Sequence, residues 1–227
     1  MTVDSSDEFV KITVNSFYTS NATQNLAGFQ TTTEYKLFFQ KDSRLEIKYH
    51  IDPKGLESLL SLPRVGLRMV VPENYNTVQW YGRGPWENYP DRNSGALVGS
   101  YTANVSDMFT PYVYPQECGL RTDVRWFSCL DSQGKGLLIQ PLSTDDVTAT
   151  NHLLHFSALH ASIETIEAAK HTYEIPSKNH VYLCIDHAHL GVGGDNSWTP
   201  MTTLENYRVN PTKSYDFGIV VSVTQQY

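Results

Sequence analysis

Acidic side chains lie beside arginines and aromatic rings in three stretches of this sequence. The first is Trp80-Tyr-Gly-Arg-Gly-Pro-Trp-Glu-Asn-Tyr-Pro-Asp-Arg92. Two glycines and two prolines impose an irregular backbone there. Glu87 and Asp91 lie within reach of Arg83 and Arg92, so a network of charge-assisted hydrogen bonds along the segment is expected. The second stretch, Thr110-Pro-Tyr-Val-Tyr-Pro-Gln-Glu-Cys-Gly-Leu-Arg121, again sets a carboxylate, Glu117, near an arginine, Arg121. The third is Asp186-His-Ala-His-Leu-Gly-Val-Gly-Gly-Asp-Asn-Ser-Trp-Thr-Pro200.

These residue types allow several kinds of chemistry, and their spacing narrows the choice. Two carboxylates about 5 to 5.5 Å apart could serve a retaining glycosidase. Here, however, each acid of the first two stretches has an arginine within a few residues, which favours a depressed pKa and a structural role over a poised acid. His187 and His189 are spaced i, i+2, as two metal ligands on one strand face would be. No third ligand follows at a familiar spacing, so a metal site is not expected. Gly191, Gly193 and Gly194 permit a tight loop that presents Trp198, and no helix follows to make it a phosphate loop. A large aromatic flanked by Asp195, Asn196 and Ser197 suits stacking on the apolar face of a sugar while its polar neighbours meet hydroxyls. The plainer reading is a tryptophan that closes its own loop.

Strands must position these segments. Leu45, Ile47, Tyr49 and Ile51 alternate with Glu46, Lys48 and His50, the period of a half-buried strand. Runs rich in β-branched and aromatic residues predict further strands at 31–39, 65–71, 78–81, 124–129, 137–140, 181–185 and 214–223. Turn signals such as Asp52-Pro-Lys-Gly55 and Asp131-Ser-Gln-Gly134 separate them. Only Ala161 to Lys170 reads as helix. Alternating βαβ units are absent, which excludes a doubly wound sheet or a (β/α)8 barrel. The expected fold is all-β, an antiparallel sandwich of large sheets with at most one or two short helices. Residues 1–227 read as a single domain with a ragged edge at 1–28, where Val10 to Val14 is the one strand candidate.

The 227 residues include 40% hydrophobic and 12% aromatic side chains, a composition that packs a core. Net charge is −7, from 17 basic and 24 acidic residues without a basic cluster, which argues against nucleic acid as a partner. No apolar run approaches the ~20 residues of a membrane span. The opening MTVDSSDEF has no signal-peptide pattern, so the chain reads as soluble and untargeted. Cys118, Cys129 and Cys184 are too few and too widely spaced for a disulfide framework or a zinc knuckle, and buried free thiols are expected.

Taken in order, Leu62-Pro-Arg-Val-Gly-Leu67, Tyr81 to Arg92, Pro111-Tyr-Val-Tyr-Pro-Gln-Glu117 with Gly119-Leu-Arg121, and Gly191 to Trp198 resemble the small-chain or C-terminal domain of family 2 β-galactosidases. That resemblance implies a galactose mutarotase-like supersandwich at the rim of a catalytic barrel. The acid/base and nucleophile glutamates would then lie outside this chain, which is expected to hold no catalytic residue and no cofactor. Its implied partners are the remaining domains or large subunit of a β-galactosidase and a galactoside, which Trp198 would meet at the aglycone subsite. The compartment of such a parent, cytoplasmic or periplasmic, stays open. Two departures stand out. The family's upstream Phe-Trp-Arg-Ala-Pro-Thr-Asp-Asn-Asp stretch is missing, so the chain reads as a fragment. Cys118 also replaces the family's usual Asn. Competing readings are a free-standing carbohydrate-binding module and an aldose 1-epimerase, the latter using Glu87 or Glu117 as base with His160 or His189 as acid.

Overall fold

The computed structural model describes residues 1–19, 27–40, 43–142, 153–176, 179–196 and 203–225. The chain runs through β1 (Thr2–Ser5), β2 (Phe9–Thr19), β3 (Gly28–Phe38), β4 (Arg44–Lys54), β5 (Arg64–Pro72), β6 (Thr77–Gly84) and β7 (Leu97–Asn104). It continues through β8 (Arg121–Val124), β9 (Trp126–Leu130), β10 (Lys135–Pro141), β11 (Leu154–Leu159), α1 (Ile163–Ala168), β12 (His180–His189) and β13 (Tyr215–Gln225). Every strand pairs antiparallel. One sheet has nine strands in the order β1-β2-β3-β4-β13-β10-β9-β6-β7, and the other has four in the order β5-β12-β11-β8. This is the all-β, two-sheet architecture expected from the strand pattern.

The sheets face one another across an apolar core. Phe127 of β9 stacks on Phe156 of β11 at 4.3 Å, and Trp80 of β6 meets the same ring edge-on at 6.0 Å. All three are fully buried, and each contributes roughly 1.5–3 kcal/mol by leaving water. A second cluster, built on Ile51, Leu62, Val65, Val209, Tyr215 and Phe217, closes the core near the start of β5. The larger sheet outruns the smaller one, so β1 and β2 have no buried residue.

Several elements differ from the sequence pattern. The run 124–129 is not one strand. It breaks after β8, and the chain passes from the small sheet into the large one at Asp123 and Arg125. Asp123 has φ +53°, a left-handed conformation that a short polar side chain tolerates. The Val10–Val14 candidate extends over all of β2. Strands β1, β7 and β11 are additional. Helix α1 is capped by Ser162, whose Oγ accepts from Thr165 N.

Candidate functional site

Glu87 joins the first two motif stretches. Its carboxylate accepts from Arg92 Nη2 (2.9 Å), Thr110 Oγ1 (2.9 Å), the backbone N of Gly119 (2.8 Å) and the Tyr112 hydroxyl. Gly119 has φ +82°, so its amide can turn toward the carboxylate without a Cβ in the way. Asn88, next along, accepts with Oδ1 from both N and Oγ1 of Thr122 (3.1 and 2.6 Å). Arg121 is buried over the Trp80 ring and donates to the Gly119 carbonyl (3.0 Å). Burial pushes its pKa down to about 10, against the pull of Glu87. Arg83 turns away from the carboxylates of its own segment. It pairs with Asp123 (2.5 Å) and donates to the carbonyls of Asn93 and Ala96.

A second polar knot lies where all the motif stretches meet. Arg64 Nη2 is 3.3 Å from both Glu117 and Asp186. His189 donates through Nδ1 to the Leu190 carbonyl (2.7 Å), and its Nε2 lies 3.7 Å from Glu117. The Tyr89 ring packs edge-on against His189. The cation beside Glu117 is therefore Arg64, whereas the sequence pointed to Arg121. Burial pushes the Glu117 carboxyl up, but His189 and Arg64 outweigh it and hold it below the ordinary carboxylate range. Asp186, 1% exposed, is pushed by burial up to about 6, with Arg64 opposing. Arg64, Tyr89 and Asp186 did not stand out in the sequence. Only the position of Arg64 within Leu62-Pro-Arg-Val-Gly-Leu67 marked it.

The glycine-rich loop leaves directly from this knot. Asp91 clamps it: Oδ1 accepts from Val192 N (3.1 Å) and Oδ2 from Gly193 N (2.6 Å). A Cβ on Gly191 would come within 2.7 Å of Asp91 Cγ, and one on Gly193 within 2.9 Å of Oδ2, so the clamp requires glycine at both positions. Gly191 is also held by Tyr207, whose carbonyl accepts from its N, and by Thr203, whose hydroxyl donates to its O (3.1 Å). Asp195 and Asn196 are exposed at the far end of the loop. Trp198 and Ser197 lie outside the described residues.

The two histidines face different partners. His187 stacks on Phe217 (5.4 Å), while His189 sits against Tyr89 and Glu117. Among the described residues no group of three His, Cys, Asp or Glu could hold a metal. His160 bonds the His180 carbonyl through Nδ1. Of the acid and base candidates, Glu117 and His189 do meet, but they meet each other, with His189 only 7% exposed. Cys118 is buried, and burial raises its thiol to about 11. With Glu117, Tyr114, Leu159 and Ile166 it lines a cavity of about 500 Å³ against α1. Among the described residues no helix is long and apolar enough to cross a membrane.

Within the site, Glu87 is met by four donors, Glu117 by Arg64 and Asp91 by two amides of the glycine-rich loop. The sequence matches the family described as beta galactosidase small chain over residues 2–221. It is 35% identical over 201 residues to a beta-galactosidase of Vibrio cholerae, covering 88% of this chain and 18% of that protein. A beta-galactosidase of Photobacterium profundum is 33% identical over 222 residues, covering 97% of this chain and 19% of that one. Priestia megaterium has another, 35% identical over 174 residues, covering 77% of this chain and 16% of that protein. The chain thus spans less than a fifth of the length of these curated relatives. Among solved structures, a putative aldose 1-epimerase of Escherichia coli K12 aligns over 99% of this chain and 68% of its own, with 11% identity and a TM-score of 0.44, a likeness too loose to bear on function. Matched from Thr2 to Val221, and at about a third identity to full-length relatives, the chain belongs to the beta galactosidase small-chain family.

Proposed function

We propose that this chain is the non-catalytic small-chain domain of a β-galactosidase and completes the rim of its galactoside pocket through Trp198, with Asp195 and Asn196 meeting hydroxyl groups. The carboxylates and the barrel that cleave the bond belong to the remaining domains or large subunit, which are its partners. The Asp91 clamp carries this reading. The Asp91 carboxylate reaches about a hundred residues along the chain to fix two amides of the glycine-rich loop, which in sequence carries Trp198 with Asp195, Asn196 and Ser197. Fixing a loop before the ligand arrives lowers the ordering cost of binding.

The test is made in the complete galactosidase that carries this chain. A ring stacked on the departing sugar is in contact in both the Michaelis complex and the transition state, so Trp198→Ala raises KM more than it lowers kcat. The change on lactose is about ten- to a hundredfold, the equivalent of roughly 1–3 kcal/mol for one aromatic face. Equal kinetics for mutant and wild type on lactose would remove Trp198 from the pocket and, with it, this reading.

A further inference from the structure

The two sheets are unequal, nine strands against four, and the mismatch falls at β1 to β3. One cross-strand row shows what the mismatch leaves open. Ile219, Ile47, Tyr35, Ile12 and Val3 are successive partners across β13, β4, β3, β2 and β1. Ile219 and Ile47 lie in the core, whereas Tyr35 is 37% and Val3 62% exposed. In the next row over on the same face, Leu37 is 44% exposed. The row on the opposite face, Asp4, Lys11, Lys36 and Glu46, is charged throughout. Side-chain alternation thus keeps the polarity of a core face on strands that have no sheet above them. A contiguous apolar face of this kind marks an interaction surface.

The smaller sheet ends where that face begins. Val65 of β5 packs with Ile51 of β4, and β5 pairs with β12 on one side only; among the described residues no strand pairs with its other edge. The run Val65 to Val71 holds a single charge, Arg68, and this is bound by Glu164. Such an edge, long and mostly apolar, accepts another strand. At about 4.8 Å per strand, the width of β1 to β3 leaves room for about two or three strands beside β5. A second copy cannot supply them by pairing β5 with β5. Its β5 carries its own β4 and β13 on the inner face, and these would run into β2 and β3. The polypeptide that can supply them is ample: this chain covers 18% and 19% of two of its β-galactosidase relatives, so about four-fifths of each lies outside the match.

We propose that β-strands from the remaining part of the galactosidase add to the free edge of β5 and lie over β1 to β3, their uncharged alternate side chains facing Ile12, Tyr35 and Leu37. This rests on the small-chain assignment and names the surface by which the chain joins its partner. Hydrogen exchange read by mass spectrometry tests it, comparing this chain with the complete galactosidase. Peptides from β2 and β5 exchange about tenfold or more slowly in the complete enzyme. The double variant Tyr35→Lys/Leu37→Lys, at positions exposed in this chain, shifts its melting by about 2 °C or less. In the complete enzyme the same pair buries two unmatched charges, lowers melting by about 5 °C or more and returns β2 and β5 to the exchange rates of the chain alone. Gln30→Lys, on the opposite face, changes neither protein. Equal exchange of β2 and β5 in chain and enzyme, or a double variant that costs both proteins the same, would overturn the docking surface. So would a concentration-dependent dimer of this chain that protects these strands, because the occupant would then be a second copy. Each of these results leaves the rim role intact while Trp198→Ala still raises KM on lactose; loss of that kinetic effect with β5 protected removes the rim and keeps the docking surface.

Discussion

Glu87 and Arg92 form one ion pair but are unequal partners. Glu87 is 10% exposed and serves four donors, whereas Arg92 is 53% exposed and serves that carboxylate and a phenol. Glu87→Ala leaves the Gly119 amide and Thr110 without acceptors and should cost about 2–4 kcal/mol. Arg92→Ala removes a half-solvated cation and should cost about 0.5 kcal/mol or less. Urea unfolding of the two variants measures the contrast, and equal losses would show that the four-donor network does not act as one unit. Asp186 sets a pH dependence. Its folded pKa of about 6 lies above the usual carboxylate value, so its share of stability is full below about pH 4 and is lost as pH rises through 6. Glu117, held low, works in the opposite sense and loses its share as pH falls. The melting temperature of Asp186→Asn relative to wild type should therefore climb between pH 4 and 6, by the equivalent of about 2–3 kcal/mol. A constant difference across that range would contradict the buried, proton-binding carboxylate. At this scale the sequence shows pairs that are close along the chain, such as Glu87 with Arg92. It hides Arg64 with Glu117 and Asp91 with Val192, because nothing local records a partner 50 to 100 residues away.

Strand β4 is plain in the sequence because alternate side chains face core and water. Strand β7 is not, since Gly99, Ser100, Thr102 and Asn104 dilute an edge strand that buries little. Strand β11 is hidden for the opposite reason: it is buried at five of six positions and so has no alternation to read. The break between β8 and β9 is equally silent, because the left-handed residue there is Asp123 and not a glycine. That crossing point is held by Arg83 of β6, whose Nε meets Asp123 while its Nη1 ties two carbonyls of the loop before β7. A double-mutant cycle of Arg83→Ala and Asp123→Ala should therefore give a coupling of about 0.5–1.5 kcal/mol, since both side chains are less than a third exposed. Additive losses would mean that the crossing is set by the backbone alone.

As a whole molecule the chain presents a well-packed sandwich whose motif carboxylates are spent on structure, so by itself it should not hydrolyse a nitrophenyl β-galactoside. Turnover that copurifies with the chain and vanishes in Glu117→Gln would contradict that division of labour. The sheet architecture and the location of the motif segments were legible in the sequence. The knot that joins them was not, because it exists only once β5 and β12 lie side by side. One further consequence follows from the way Thr203 and Gly191 grip each other at the foot of the glycine-rich loop. Because the two ends are tied by the folded domain, closure entropy is charged to folding, and it grows only slowly with the number of residues in between, by about 0.6 kcal/mol per doubling. The segment between the ties can therefore lengthen or shorten over generations while the sandwich beneath it stays folded.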